Sequence, residues 1–371
     1  MTAEIVIMNK QAIALASDSA VTMTQEMGEK IKTSANKLFS LSKYRPVGIM
    51  VFGNADLMDV PWETIIKMYR TELGKKKFDT LKEYADNFIE EQIDKKVESI
   101  ISEKNEITEY EVKQITSAII KNHHENWKNA ETIPSIPSSH FKEILDKYGE
   151  VISDAINDVF EKLPISKRNL SQLKEISGYL FSKFHIIPDG VSGVVIAGFG
   201  EKDTFPSLKV YVIEGILINK LKYKEFLSVN IGFETAASII PFAQREMVDT
   251  FMQGVDPSYR SLEDSYLTQI FSEYTEMVVN NMKKYSDPVT SVVSMLPKDE
   301  LAAMAEALVN LTSFKRKVSM ETETVGGPID VAVISKGDGF IWIKRKHYFK
   351  PELNPQFFAN HYKEEIEDGE K

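Results

Sequence analysis

Two residues near the start of the chain have side chains that suit acyl-transfer chemistry. Thr2 carries a hydroxyl and, if Met1 were removed, would carry a free α-amine on the same residue. Such an amine titrates near pH 7.7–8.0, so much of it is neutral and able to take the hydroxyl proton. The second residue is Asp18. The stretch 2–18 reads as a β-hairpin: Ala3, Ile5 and Ile7 alternate, Met8-Asn9-Lys10-Gln11 interrupts, and Ala12-Ile13-Ala14-Leu15-Ala16 returns. A turn centred on Lys10 sets Met8 opposite Ala12 and Thr2 opposite Asp18, with facing Cβ atoms about 5 Å apart. A plainer reading is that Met-Thr is a common start and that Asp18 merely ends a strand.

Composition narrows the field. Of 371 residues, 43% are hydrophobic and 27% charged, as in globular proteins with a sizeable core. The net charge of −10 argues against a nucleic-acid partner, whose site would be basic. There is no cysteine, so disulfides and thiolate metal sites are excluded. No apolar run approaches the ~20 residues of a membrane span, and no basic leader precedes the first apolar run. A cytoplasmic location is expected.

The elements that would hold Thr2 and Asp18 come in blocks. After the hairpin, Met23–Gly28 reads as a polar turn region. Strands are expected over Asn36–Leu41 and Val47–Phe52, and a helix over Pro61–Leu73. From 78 to 185 the apolar residues step by three and four, as in Phe78, Leu81, Tyr84 and Phe88, and later Ile144, Tyr148, Ile152 and Ile156. This block reads as a helical insertion, either simply packed on the core or serving as a lid, a docking surface or an oligomer contact. Strands return at Ser192–Gly198 and Leu208–Gly215, with a short one over Phe226–Ile231. Two or three helices are expected over 234–316, then a closing hairpin, Ile329–Ile334 with Phe340–Ile343. Strand blocks alternating with helix blocks predict an α+β protein. The expected division is one domain, 1–371, with its core in 1–77 and 186–350, the helical insertion at 78–185 and a polar tail at 351–371.

Two other motifs lead nowhere. Gly198-Phe199-Gly200 lacks the third glycine and the helix of a dinucleotide loop. His123-His124 has no further ligands in view, so no metal site is expected.

Several segments in order resemble the proteasome β-type subunits and related bacterial ATP-dependent peptidase subunits, which are N-terminal nucleophile hydrolases. They are Thr2 with Asp18 sixteen residues on, Asn36-Lys37-Leu38-Phe39, Val51-Phe52-Gly53-Asn54-Ala55-Asp56, the strands around Ile196-Ala197-Gly198 and Val210–Gly215, and Gly326-Gly327-Pro328 leading into Ile329–Ile334. The likeness covers roughly 1–75 and 190–345. It implies a four-layer α-β-β-α sandwich and a threonine peptidase that works through an acyl-enzyme. Thr2 would be the nucleophile, and Lys37 would lower the hydroxyl pKa by its charge. Asp18 would hold that ammonium, and Glu321 and Thr324 are supporting candidates. The backbones of Met50 and Thr22 are the candidate oxyanion and substrate contacts. No cofactor and no metal are implied. Expected partners are a peptide or protein substrate, other copies of the chain in an oligomer such as a ring, and an unfoldase, with no nucleic acid and no membrane. The chain departs from the family where Ile49 or Met50 stands in place of an oxyanion glycine, and where Gly232-Phe233-Glu234 replaces a Gly-Ser-Gly segment. Two other readings therefore stand beside the peptidase: a catalytically silent scaffold that binds a partner through its helical insertion, and an amidohydrolase acting on a small amide.

Overall fold

A computed structural model of the chain describes residues 2–25, 28–97, 135–137, 139–160, 167–183, 191–257, 274–319, 324–356 and 358–359. The first hairpin forms from β1 (Ala3–Asn9) and β2 (Ala12–Ser17). Its register differs from expectation by one residue: Met8 faces Ile13 and Glu4 faces Ser17. The reason lies in the turn. The Asn9 side-chain oxygen accepts from the amides of Gln11 (2.9 Å) and Ala12 (3.2 Å), so Asn9 folds the chain over two residues, Lys10 and Gln11. The Asn9 amide also donates to the carbonyls of Val293 and Leu296, anchoring the turn to a helix end.

Of the expected turn region Met23–Gly28, Met23–Gln25 belong to β3 (Val21–Gln25) and Gly28 to β4 (Gly28–Lys32), which pair as a small hairpin, while Glu26 and Met27 lie outside the described residues. Further along come β5 (Leu38–Ser40), β6 (Val47–Gly53) and the short pair β7 (Asp56–Leu57) and β8 (Val60–Pro61). Later strands are β9 (Ser192–Gly198), β10 (Ser207–Ile216), β11 (Leu221–Asn230), β12 (Ala237–Ala243), β13 (Asp330–Ser335) and β14 (Gly339–Lys344). The expected short strand at 226–231 is thus ten residues long. β12 falls where a helix was expected, since Ser238-Ile239-Ile240-Pro241-Phe242 lacks clear alternation. It lies at a sheet edge, where a proline without an N–H is tolerated.

One five-stranded sheet has the order β12-β1-β2-β13-β14 and the other β11-β10-β9-β6-β5; all pairings in both are antiparallel. The alternation of side chains along β1 explains how they pack. Ala3, Ile5 and Ile7 join Ala12, Ala14 and Ala16 of β2 against helices α5 (Glu246–Gln253), α6 (Tyr274–Val293) and α7 (Lys298–Val318), through residues such as Val248, Val293, Leu301 and Leu308. Val6, Met8, Ile13 and Leu15 face the second sheet and meet Leu38, Met50, Val195 and Val210. That sheet's other face is covered by α1 (Trp62–Leu73), α2 (Leu81–Asn87) and the π-helical turn Phe88–Val97 that continues it. The protein is thus mixed α and β, with two antiparallel sheets face to face and helices outside each.

Helices α3 (His140–Phe160) and α4 (Lys167–Ser182) form a separate apolar cluster. Ile144, Tyr148, Ile152 and Ile156 pack on Leu173, Leu180 and Phe181, with Leu217 from the β10–β11 turn joining them. Gly200, from the rejected dinucleotide motif, lets the chain approach closely: a Cβ there would lie 2.2 Å from the Thr80 Cα.

Candidate active site

Thr2 precedes β1 by one residue, and its hydroxyl donates to the Glu4 Oε2 at 2.8 Å. Residues two apart on a strand share a face, so Glu4 stands in the row that continues as Val6 and Met8 into the inter-sheet core. Across the sheet, Glu4 faces Phe242 on β12 and Ser17 on β2, and Ser17 faces Asp330 on β13. The Phe242 ring stacks on Phe52 at 5.2 Å between centroids. Thr2 and Glu4 are both buried, at 4% and 2% exposure.

Asp18 directly follows β2 and ties four pieces of chain together. Its Oδ1 accepts from the Ala3 N–H at 3.1 Å and from the Lys37 ammonium at 2.6 Å. Its Oδ2 accepts from Ala20 (3.1 Å) and Gly326 (2.9 Å). The next residue, Gly327, has φ +79°, and a Cβ there would come within 2.8 Å of the Thr33 carbonyl, so glycine is required for this turn to close over the site. Lys37 lies just before β5, its carbonyl accepting from Val51 N–H at 2.9 Å. Its ammonium, 2.6 Å from Asp18, is also 3.6 Å from the Glu4 Oε1, an ion pair beyond hydrogen-bond length.

The electrostatics follow from burial. Loss of water pushes the Glu4 carboxyl up to about 7; Lys37 pulls it down, and Asp18 adds to the rise. Three buried polar atoms around this cluster have no hydrogen-bond partner: Glu4 Oε1, Ser17 Oγ and Thr324 Oγ1. Buried polar groups are nearly always satisfied, and exceptions concentrate where water, ligand or chemistry completes them.

The residues singled out from the sequence fare differently. Thr2, Asp18 and Lys37 come together, linked through Glu4. The facing of Thr2 with Asp18 does not hold, because the register shift turns the Asp18 N–H to the Ala3 carbonyl at 3.1 Å. Thr324 is buried two residues before Gly326, while Glu321 lies outside the described residues. Met50 is fully buried in the inter-sheet core and pairs with Leu38 and Val195; Thr22 pairs with Ile31 on β4. His123 and His124 also fall outside the described residues. Gly232-Phe233-Glu234 sits at the opposite end of β1: Phe233 lies under the Lys10 ammonium at 4.9 Å. It therefore does not replace a segment beside Thr2.

Glu4 was missed in the sequence. The available signal was a lone carboxylate in an otherwise apolar strand, Ala-Glu-Ile-Val-Ile-Met. A surface cavity of about 350 Å³ is lined by Arg45, Tyr84, Glu201, Lys336 and Phe340. It adjoins the β13–β14 turn, at the far end of the strands from Thr2, and no residue of the Thr2 cluster lines it. Among the described residues, no group of three or more His, Asp or Glu is placed to hold a metal ion, and no helix is long and apolar enough to cross a membrane.

Fold and site together define a two-sheet, helix-flanked protein with a buried threonine–carboxylate–ammonium cluster at the end of its first strand. No family model and no curated protein matches the chain. Among solved structures it is similar to Anbu from Hyphomicrobium sp. strain MC1, at 9% identity and TM-score 0.34 over 99% of this chain and 96% of that one. It is similar also to Anbu, described as an ancestral β-subunit, from Yersinia bercovieri, at 11% identity and TM-score 0.33 over 97% and 95%. Likeness at this level assigns no role to any residue.

Proposed function

We propose that the chain is a proteasome-like threonine peptidase with Thr2 as nucleophile. The observation that carries this reading is the buried cluster in which the Thr2 hydroxyl, the Lys37 ammonium and the Asp18 carboxylate are joined through Glu4. Removal of Met1 frees an amine beside that hydroxyl. Thr2 Oγ then forms a bond to the substrate carbonyl carbon, the amide C–N bond breaks, and the hydroxyl proton goes to the departing amine. Water cleaves the resulting ester and restores the hydroxyl. Lys37 stabilises negative charge on Oγ, and Asp18, held by three backbone N–H groups, fixes Lys37. Thr324 is a supporting candidate, and the backbones of Met50 and Thr22 are candidate substrate contacts. The reading carries with it a cytoplasmic oligomer acting on peptides or proteins without a cofactor.

Intact mass establishes whether Met1 is absent. Incubation with a peptide epoxyketone, which reacts with a threonine hydroxyl and its adjacent amine, is expected to add one equivalent to the processed chain and none to Thr2→Ala. A processed wild-type chain that gains no adduct overturns the peptidase and leaves the silent scaffold.

A further inference from the structure

The Thr2 hydroxyl has a hydrogen-bond partner that the reading above does not use. Glu4 is a carboxylate at 2% exposure in a row that otherwise holds Val6 and Met8. Leaving a charge there is costly unless it is paired or has a task. Its Oε2 takes the Thr2 hydroxyl hydrogen at 2.8 Å, and its Oε1 faces the Lys37 ammonium at 3.6 Å without accepting a hydrogen bond. Asp18, the other carboxylate, receives four donors from Ala3, Lys37, Ala20 and Gly326, and none of them is Thr2. Geometry therefore separates the two acids: one is saturated and structural, the other rests on the attacking oxygen with capacity to spare.

We infer that Glu4 is the general base that takes the Thr2 hydroxyl proton, an assignment that rests on Thr2 as nucleophile and changes only where the proton goes. As Oγ bonds to the substrate carbonyl carbon, its proton passes to Glu4 Oε2. The protonated Glu4 then gives that proton to the amine as the C–N bond breaks. In the second half, ionised Glu4 takes a proton from the attacking water and returns one to Thr2 Oγ when the ester opens. Water is the one co-reactant that the sequence of steps consumes. A base is effective when it titrates near the working pH, and burial puts Glu4 at about 7. The groups around it are Thr2 just ahead of its own strand, whose α-amine titrates near 7.7–8.0 once Met1 is removed, Phe242 from β12, Ser17 from β2, Asp18 just after it, and Lys37 ahead of β5. Asp330, further along the row, is held by the Lys346 ammonium and N–H.

A β-lactone tests this, because it acylates a hydroxyl without using the neighbouring amine. The rate of Thr2 acylation is followed by peptide mass spectrometry from pH 5 to 9 in the full chain, in Glu4→Gln and in Glu4→Asp. The wild-type rate is expected to climb through a midpoint near 7. Glu4→Gln should be slower by about 100-fold or more, in the range a positioned base supplies, and should lose that midpoint. Glu4→Asp should keep the midpoint at a reduced rate. Equal rates and profiles for wild type and Glu4→Gln overturn Glu4 as base while leaving Thr2 as nucleophile. Absence of acylation at Thr2 in the wild type at every pH removes the nucleophile and this assignment with it. If Glu4→Gln does not fold, the ¹³C titration of the Glu4 carboxyl in the wild type decides. A midpoint matching that of the rate supports the assignment, and one displaced from it overturns it.

Discussion

Glu214 and Lys222 make a second buried ion pair, and it is built unlike the one at Thr2. Glu214 is the extra residue of a bulge in β10 between Ile213 and Gly215, and its carboxylate meets the Lys222 ammonium of β11 at 2.5 Å. The same ammonium donates to the Leu180 carbonyl near the end of α4 at 2.8 Å. Burial pushes Glu214 up to about 7 and pushes Lys222 down, so the carboxyl is perturbed as strongly as Glu4. Yet neither residue leaves a buried polar atom without a partner, and no hydroxyl rests on the pair. At Thr2 three polar atoms are left open and a potential nucleophile is one of the members. A shifted titration alone does not separate a clamp from a reaction site; the difference here, among the described residues, is a hydroxyl that donates to the carboxylate at Thr2 and none that does so at Glu214.

The contrast breaks most visibly in reactivity. Lys37→Met is expected to slow acylation of Thr2 by about 100-fold or more, since it removes the charge that stabilises Oγ in a dry site. It should also move the rate midpoint upward, because Lys37 favours the ionised form of Glu4. Lys222→Met should leave the rate per folded molecule unchanged. Equal slowing by both variants would show that the two clusters do not differ in the way proposed.

Stability responds at both clusters, because Lys37→Met likewise leaves the buried Asp18 carboxylate without its ammonium. Lys222→Met strands the Glu214 carboxylate and frees the Leu180 carbonyl, at a cost of roughly 3–5 kcal/mol. Urea unfolding at pH 8 measures it, and hydrogen exchange should place the loss of protection at the end of α4.

Glu4→Gln should act in the opposite direction, and only at high pH. The Glu4 carboxyl is raised from 4.5 to about 7 in the folded chain. The protonated form therefore contributes stability that is fully present below about 4.5 and is lost as pH rises through 7. That loss is on the order of 3 kcal/mol. Glutamine does not titrate, so the variant should match the wild type closely at pH 4.5 and exceed it at pH 8. Glu214 titrates alike in both proteins and cancels. A difference that stays flat from pH 4.5 to 8 would mean that Glu4 is not buried as an acid.

Legibility in the sequence follows the same division. Thr2 and Asp18 stood out because hydroxyl and carboxylate side chains at the two ends of an apolar hairpin are conspicuous, and Lys37 entered through its resemblance to a family segment. Glu4 did not, since reading β1 as Ala3, Ile5, Ile7 fixed attention on the row facing the helices. A strand buried on both sides shows no polar row, and only the pairing with Phe242 and Ser17 reveals what the other row meets. The hairpin register was lost for a local reason, the Asn9 side chain capping two turn amides. β12 was lost because Pro241 obscures an edge strand, although that strand supplies Phe242, and the residue just after it, Gln244, donates its N–H to the Thr2 carbonyl at 3.0 Å. Most strands and the outer helix α1 were readable from apolar spacing, and the pairing of two sheets came only from the family resemblance, while the Glu214–Lys222 clamp depends on a bulge that no spacing announces.

The smallest expected effect sharpens the comparison most. Replacing Glu214 and Lys222 together, as Glu214→Leu with Lys222→Met, removes both charges and leaves apolar volume where α4 meets the sheet. A satisfied structural pair exchanged for apolar groups of similar size is commonly neutral or stabilising. The double variant should therefore unfold within about 1 kcal/mol of the wild type at pH 8, recovering most of what Lys222→Met alone loses. The only bond it cannot restore is the one to Leu180, worth about 1 kcal/mol. The exchange at the site, Glu4→Leu with Lys37→Met, leaves the buried Asp18 carboxylate without its ammonium, so it should lose stability, and its folded fraction should acylate no faster than Glu4→Gln. If the Glu214–Lys222 double variant stays as unstable as Lys222→Met, the pair does more than clamp and its distinction from the Thr2 cluster fails.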